Sequence, residues 1–346
     1  MRNKAPVFVV GCPRSGTTLL YNMLLSAGGF AVYLAESNVF NLLGPRFGNP
    51  AVRSNRERLV ESWLESKLFR ASFLDASSLR EKLMQDCHSS GDFLGIVMEE
   101  MCKAQNVQRW ADNSPEELMH MARIKKEIPG ALFIHMIRDG RDVSLSLDAR
   151  PFPWVRPFSW DRGKSLVIAG VFWEWIVNRG REKGHQLRND YLEIHFEELQ
   201  ARPKETLAKI GDFIEHDLDH DRIQRVGIGS VSDPNTSFKG DRTAPVGRWK
   251  ARMTPENLVL FEAAVGATLT RIGYPLGVAE NASAPDRFEA ARLRAFYRMY
   301  LDAKFWFKNS ALGRYYLGPL TGEGIDNIVI AVDPAQRPAA PILSAP

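Results

Sequence analysis

Residues 7–18 read VFVVGCPRSGTT, and this stretch decides the fold. Residues 7–10 are four apolar, β-favouring positions in a row. Such a run predicts a strand buried on both faces, as in a parallel sheet. Residues 11–16 (GCPRSG) make a turn rich in Gly and Ser. Residues 17–27 (TTLLYNMLLSA) then put Leu20, Met23, Leu24 and Ala27 on one helical face, and Gly28-Gly29 stops the helix.

The same alternation recurs along the chain. Residues 132–137 (LFIHMI) and 191–196 (YLEIHF) predict two further strands, and helices are predicted over 165–181, 204–214 and 255–273. The last of these carries Pro at its start and Gly just past its end. Residues 31–110 read as mostly helical, with amphipathic stretches at 56–69, 78–85 and 92–104. A helix is also expected to start at Asp142, although Val143, Leu145 and Leu147 alternate too closely to define it alone. Strands alternating with helices predict an α/β fold: a parallel β-sheet flanked by helices.

Of the 346 residues, 45% are apolar and 25% charged, the profile of a soluble globular protein able to bury a full core. Lys and Arg number 45 against 41 Asp and Glu, giving a net charge of +4. That excess suits an anionic small ligand and is too weak and diffuse for nucleic acid. Cys12, Cys87 and Cys102 form no disulfide framework and match no zinc spacing, so no metal is expected. Cys12 is either a nucleophile or, the commoner case, a small side chain beside a tight turn. The run at 7–10 is too short for a secretory signal, and no stretch approaches the roughly 18 apolar residues of a membrane span. The expected location is cytoplasmic.

The turn after the first strand carries the chemistry. A Gly-rich loop feeding a helix aims successive N–H groups, and the positive end of the helix dipole, at one point. The outline matches the phosphate loop G-x-x-x-x-G-K-[ST], except that Thr17 stands where Lys belongs. Thr18 keeps the hydroxyl, and the cation has moved to Arg14. A donor with fewer phosphates, held by Arg14, Ser15, Thr17 and Thr18, fits better than a triphosphate. A second loop, residues 138–143 (RDGRDV), follows the second strand. Arg138 and Ser146 could hold one phosphate from two sides. Alternatively, Arg138, Asp139, Arg141 and Asp142 form an exposed loop laced with salt bridges.

Together, these loops resemble those of sulfotransferases that use 3′-phosphoadenosine 5′-phosphosulfate. The P-R-S-G-T-T form is closest to the tyrosylprotein-type and bacterial branches. The resemblance covers about residues 6–275 and implies a P-loop-like sheet. It further implies that Pro13, Arg14, Ser15, Gly16, Thr17 and Thr18 bind the 5′-phosphosulfate, and that Arg138 and Ser146 bind the 3′-phosphate. Residues 110–115 (WADNSP) resemble W-x-D-K-[ST]-P, with Asn113 where many members have Lys. Residues 196–199 (FEEL) resemble Y-E-x-L, which puts Phe196 near the adenine with a stacking face and no hydroxyl. Residues 247–250 (GRWK) resemble the late G-x-W-[KR] segment, which brings Arg248 and Lys250 over the nucleotide. Arg14 is the candidate for stabilising the leaving group. Glu36 follows the first helix where tyrosylprotein-type relatives carry a catalytic Glu, and is the candidate base. His88 and His120 are alternatives, and His135, inside a strand, reads as core.

The function expected is transfer of a sulfuryl group to a hydroxyl of a small-molecule, glycan, lipid or peptide acceptor. A P-loop-like kinase or NTPase and a non-catalytic nucleotide-binding protein are the other readings. The helical region at 31–110 and the loop at 150–160, with Trp154, Phe158 and Trp160, are expected to shape the acceptor pocket. Residues 1–278 are read as the catalytic domain and 279–346 as an extension. Within the extension, 286–308 is a helix interleaving six basic residues with aromatics. It packs on the catalytic domain, pairs in a homodimer, or lies on an anionic membrane surface as a peripheral contact. The Ala- and Pro-rich end, 333–346, reads as a mobile tail.

Overall fold

Four parallel strands form one sheet: β1 (Val7–Gly11), β2 (Ala111–Asp112), β3 (Leu132–Ile137) and β4 (Tyr191–His195), in the order β2-β1-β3-β4. The computed structural model describes residues 2–149, 164–229, 245–278 and 282–329. The aromatic loop at 150–160, most of the polar loop at 227–247 and the tail at 333–346 lie outside the described residues.

The unbroken apolar runs have a direct cause. Phe8 and Val10 of β1, with Phe133 and Ile137 of β3, point into the larger of two cores. Val7 and Val9, with Leu132, Ile134 and Met136, point into the other. Both faces of the central strands are covered, so neither face of β1 needs polar residues. His135 is the exception and is fully buried. Its Nδ1 lies 2.6 Å from the Tyr191 hydroxyl, whose own proton goes to Glu193 Oε1 at 2.9 Å. Nδ1 is therefore the donor, and burial holds the ring neutral, its pKa lowered to about 3. It is a core residue, as the sequence reading has it.

The helices that matter to the site are α1 (Thr17–Ser26), α2 (Arg53–Leu64), α3 (Ser90–Ala104), α4 (Gly140–Asp148), α5 (Ser165–Gln186), α6 (Pro203–Ile214), α7 (Pro255–Arg271) and α8 (Ala284–Asn309). α1 is buried nearly all round, from Leu19 to Leu25, so the one-faced stripe expected for it is too narrow. α4 starts two residues before the expected position. Asp139 caps it, its side chain accepting from Arg141 N at 2.9 Å. β4 stops at His195, and Phe196 opens the short helix Phe196–Ala201 instead of ending the strand.

α8 begins in a capping box formed by Ser283 and Asp286. It buries Ala290, Leu293, Tyr297 and Leu301 against α5 and α7, in the same core as β1. Arg294 reaches down to the buried Glu174 at 2.8 Å. Packing on the body of the protein is therefore what this helix does with one face. Phe288, Phe296, Met299 and Trp306 remain exposed on the others. Among the described residues no helix is long and apolar enough to cross a membrane.

Candidate active site

The loop between β1 and α1 is held in a conformation that only particular residues allow. Arg14 and Gly16 both sit in left-handed backbone, with φ of 75° and 92°. Left-handed residues on either side of Ser15 turn neighbouring N–H groups toward one side, and α1 adds its N-terminus. A Cβ on Gly16 would lie 2.4 Å from Phe196 Cδ2, so position 16 admits only glycine. Non-glycine residues seldom take the conformation of Arg14, and such strain clusters at ligand clamps. Ser15 is wholly buried and its Oγ has no partner, while Thr18 is exposed. A cradle whose buried hydroxyl is unpaired and whose glycine cannot carry a side chain fits an oxyanion.

The second loop meets the first. Arg14 Nε donates to Ser146 Oγ at 3.0 Å, and Arg138 Nη1 donates to the Arg14 carbonyl at 3.1 Å. Arg138 lies over the Phe196 ring, 4.4 Å from its centroid, and its buried Nε lacks a partner. The Trp173 indole donates to the Arg138 carbonyl at 3.1 Å and fixes that strand end. Burial lowers the Arg138 pKa; Asp142 and Glu197 oppose the shift, and nearby Arg248 adds to it. Two guanidiniums thus share one neighbourhood beside Arg14.

Two expectations need correction here. The loop at 138–143 is not exposed: Arg138, Asp139, Arg141 and Asp142 are all buried. Among the described residues only Arg141 of the two arginines makes the expected kind of ion pair, to Asp139 at 2.8 Å and to Glu262 at 2.8 Å. Asp142 instead binds backbone, accepting from Gly247 N at 2.7 Å and Trp249 N at 3.0 Å. Trp249 stacks under Arg141 at 3.7 Å. These contacts anchor residues 247–250 to the start of α4 and so bring Arg248 to Arg138. Lys250 is exposed, 5.7 Å from the Trp249 ring. Phe196 is the second correction. It is 0% exposed, trapped beneath Gly16 and Arg138, so no face is left to stack on adenine. Its work is to support the loop.

Acidic groups line the other side. Glu36 is half-buried, and burial pushes its pKa up to about 8; Glu116 and Asp112 add to the shift, while Asn38 and Arg14 oppose it. Asn113 Nδ2 donates to Thr18 Oγ1 at 3.4 Å, and Asn113 Oδ1 is buried without a partner. Asp112 is buried and pushed up to about 6 by desolvation, against hydrogen bonds from Ser37 and Ser114. Sequence reasoning missed Asp112, Ser114 and Glu116 as members of the site. The WADNSP match pointed at the segment, but only the fold brings it beside Glu36.

The alternative bases separate cleanly. His120 is buried, held neutral with its pKa lowered to about 3, and packs on Phe305 of α8 at 5.6 Å between ring centroids. His88 is exposed, its Nδ1 3.3 Å from Arg56 Nη1. Burial raises the Cys12 thiol pKa, with Glu116 adding to it, so Cys12 is an inert small side chain.

Known proteins point the same way. The model of the "Sulfotransferase family" matches residues 6–220, well over half of the chain, and the protein belongs to that family. It is similar to a putative protein-tyrosine sulfotransferase of Caenorhabditis briggsae, 23% identical over 60% of this chain and 65% of that one. It is also similar to protein-tyrosine sulfotransferase A of Caenorhabditis elegans, 23% identical over 88% of this chain and 76% of that one. The chain thus spans about 65% of the first relative's length. The sulfotransferase domain from the curacin biosynthetic pathway shares the fold, with a TM-score of 0.51 and 16% identity over 78% of this chain and 98% of that domain.

Proposed function

We propose that this protein transfers a sulfuryl group from 3′-phosphoadenosine 5′-phosphosulfate to a hydroxyl acceptor. One observation carries the reading: two loops far apart in sequence cross, with Arg14 on Ser146 and Arg138 on the Arg14 carbonyl, at the mouth of a helix N-terminus. The β1–α1 cradle holds the phosphosulfate end. Arg138, Ser146 and Arg248 hold the 3′-phosphate.

Each residue then has a task. Glu36, as carboxylate, takes the proton from the acceptor hydroxyl as the new oxygen–sulfur bond forms. Arg14, the loop N–H groups and the Asn113 amide stabilise charge on the bridging oxygen as its bond to sulfur breaks. The products are a sulfate ester and adenosine 3′,5′-bisphosphate. The relatives' names make a tyrosyl hydroxyl the first acceptor to try.

The test is direct. Adenosine 3′,5′-bisphosphate should raise the melting temperature more than ATP with Mg²⁺ does, and labelled sulfate should pass from the donor to an acceptor. A larger shift with ATP and Mg²⁺ would favour the kinase or NTPase reading. Donor binding without transfer to any acceptor would favour a non-catalytic nucleotide-binding protein.

A further inference from the structure

A second basic site lies where the C-terminal extension meets the helical region at 39–64. The chain here clasps itself. Arg46 Nε and Nη2 donate to the carbonyls of Gly318 and Leu317 at 2.7 and 2.8 Å. Arg314 Nε donates back to the Pro45 carbonyl at 3.4 Å. Between the two segments is a cavity of about 330 Å³, and Arg58 of α2 is its third cationic wall. Phe47, Tyr315 and Pro319 supply the apolar lining, and among the described residues no carboxylate lines it.

Three arginines on the walls of one cavity offer an anion several N–H donors. The hydrogen bonds described for Arg46, Arg58 and Arg314 all go to carbonyl oxygens or an amide oxygen, and none of the three has an ion pair among the described residues. Burial lowers the Arg46 pKa below its ordinary value. Next to the cavity Leu312, Tyr315, Tyr316 and Leu317 are all exposed, Tyr315 by 81% and Tyr316 by 71%. Tyrosines with an apolar body and a polar tip suit a boundary between water and an apolar phase.

We propose that this cavity is a binding site for a phosphate ester, separate from the donor site. Converging guanidiniums match the several acceptor oxygens of a phosphate better than a single carboxylate does. The volume suits a headgroup-sized ligand. The ester could be part of a lipid headgroup, with the neighbouring Tyr and Leu side chains in the interface, or of a soluble metabolite.

The experiment uses the full chain with the donor site filled by adenosine 3′,5′-bisphosphate. Wild type is compared with Arg58→Gln/Arg314→Gln. Flotation with phosphatidylcholine vesicles, with and without phosphatidic acid, tests the lipid source. Titration with glycerol 3-phosphate tests the soluble one. Loss of about tenfold or more in either affinity in the double variant supports the site, and the arm that responds names the source. Equal binding by both proteins, or no binding of either probe to wild type, overturns it. The bisphosphate-induced thermal shift should be the same in both proteins, which checks the fold. Should the double variant fail to fold, Arg58→Gln alone, at an exposed position, must weaken the same arm several-fold.

Discussion

Arg14 donates from its Nε to Ser146 Oγ over 3.0 Å, although 132 positions separate them. The contact ties the phosphate loop after β1 to the helix after β3, on adjacent strands of the sheet. Arg14 is thereby aimed from outside its own loop. If Arg14 stabilises the leaving oxygen, Arg14→Ala should lower kcat by about 10²–10³, the loss typical of one strong transition-state donor. Its melting temperature should stay within about 2 °C, because no core contact is removed. On kcat, Ser146→Ala should cost about tenfold, since there it removes only the aim of the guanidinium, while loss of its contact to the 3′-phosphate should show in the donor KM. Steady-state kinetics beside a thermal melt checks both; equal kcat losses for the two variants would mean that Ser146 does more in turnover than position Arg14.

Gly16 and Phe196 are coupled by contact. A methyl group at position 16 would be 2.4 Å from the ring and would need left-handed backbone as well. Gly16→Ala should therefore destabilise by about 1–2 kcal/mol from backbone conformation alone, with the clash added. Phe196→Ala should cost about 3–5 kcal/mol as a buried aromatic lost. In the double variant the ring is gone, the clash disappears, and the total should be less than the sum. Denaturant unfolding of the three proteins reads the coupling directly; strict additivity would place the ring elsewhere.

The strand–loop–helix at 7–27 is legible because it rests on local signals, an apolar run and a Gly-rich turn, whereas the meeting of Ser146 with Arg14 is not, since it depends on β1 and β3 lying side by side. The two-residue β2 was not, since Ala111 and Asp112 carry no periodicity and pair only because β1 lies beside them. Phe196 reads as a stacking platform only through the resemblance of residues 196–199 to Y-E-x-L. Its burial depends on Gly16, far away in sequence. The charges at 138–142 look alike in sequence, yet Arg138 reaches Arg14, Arg141 reaches Glu262 and Asp142 accepts from Gly247, 105 to 124 residues away, while Asp139 pairs with Arg141 close by.

If Glu36 is the base, it sets a pH dependence. Its pKa in the folded protein is raised to about 8, against an ordinary value of 4.5. As base it must be ionised, so kcat should rise with pH and level off above about 8. Glu36→Gln should flatten that rise and leave donor affinity close to wild type. Stability runs the opposite way. Below the unfolded pKa the carboxyl is neutral in both states, and the Gln variant should melt near the wild-type temperature. As pH rises toward 8 the unfolded chain ionises more readily than the folded one, so wild type loses stability on this account and the Gln variant does not. The difference in melting temperature should therefore grow from pH 4.5 to pH 8.5. A constant difference would show that Glu36 is not buried as described.

Arg138 and Arg141 stand three positions apart and should fail in different ways. Arg138 lines the site, with an unpaired buried Nε and Arg248 nearby. Arg138→Ala should raise the donor KM by about tenfold or more, the worth of a charge-assisted bond to phosphate, and change kcat less. Arg141 sits 1% exposed between Asp139 and Glu262 and stacks on Trp249. Removing it strands two buried carboxylates, which typically costs about 3–5 kcal/mol. Arg141→Ala should therefore appear first as lost stability. Donor affinity should weaken only secondarily, as residues 247–250 lose the stacking that helps seat Arg248. A stabilising second change, Glu262→Gln, relieves one stranded charge. It should recover part of the stability of Arg141→Ala, yet recover none of the donor binding lost in Arg138→Ala. If Glu262→Gln instead restored donor binding to the Arg138 variant, the division of labour between the two arginines would be wrong.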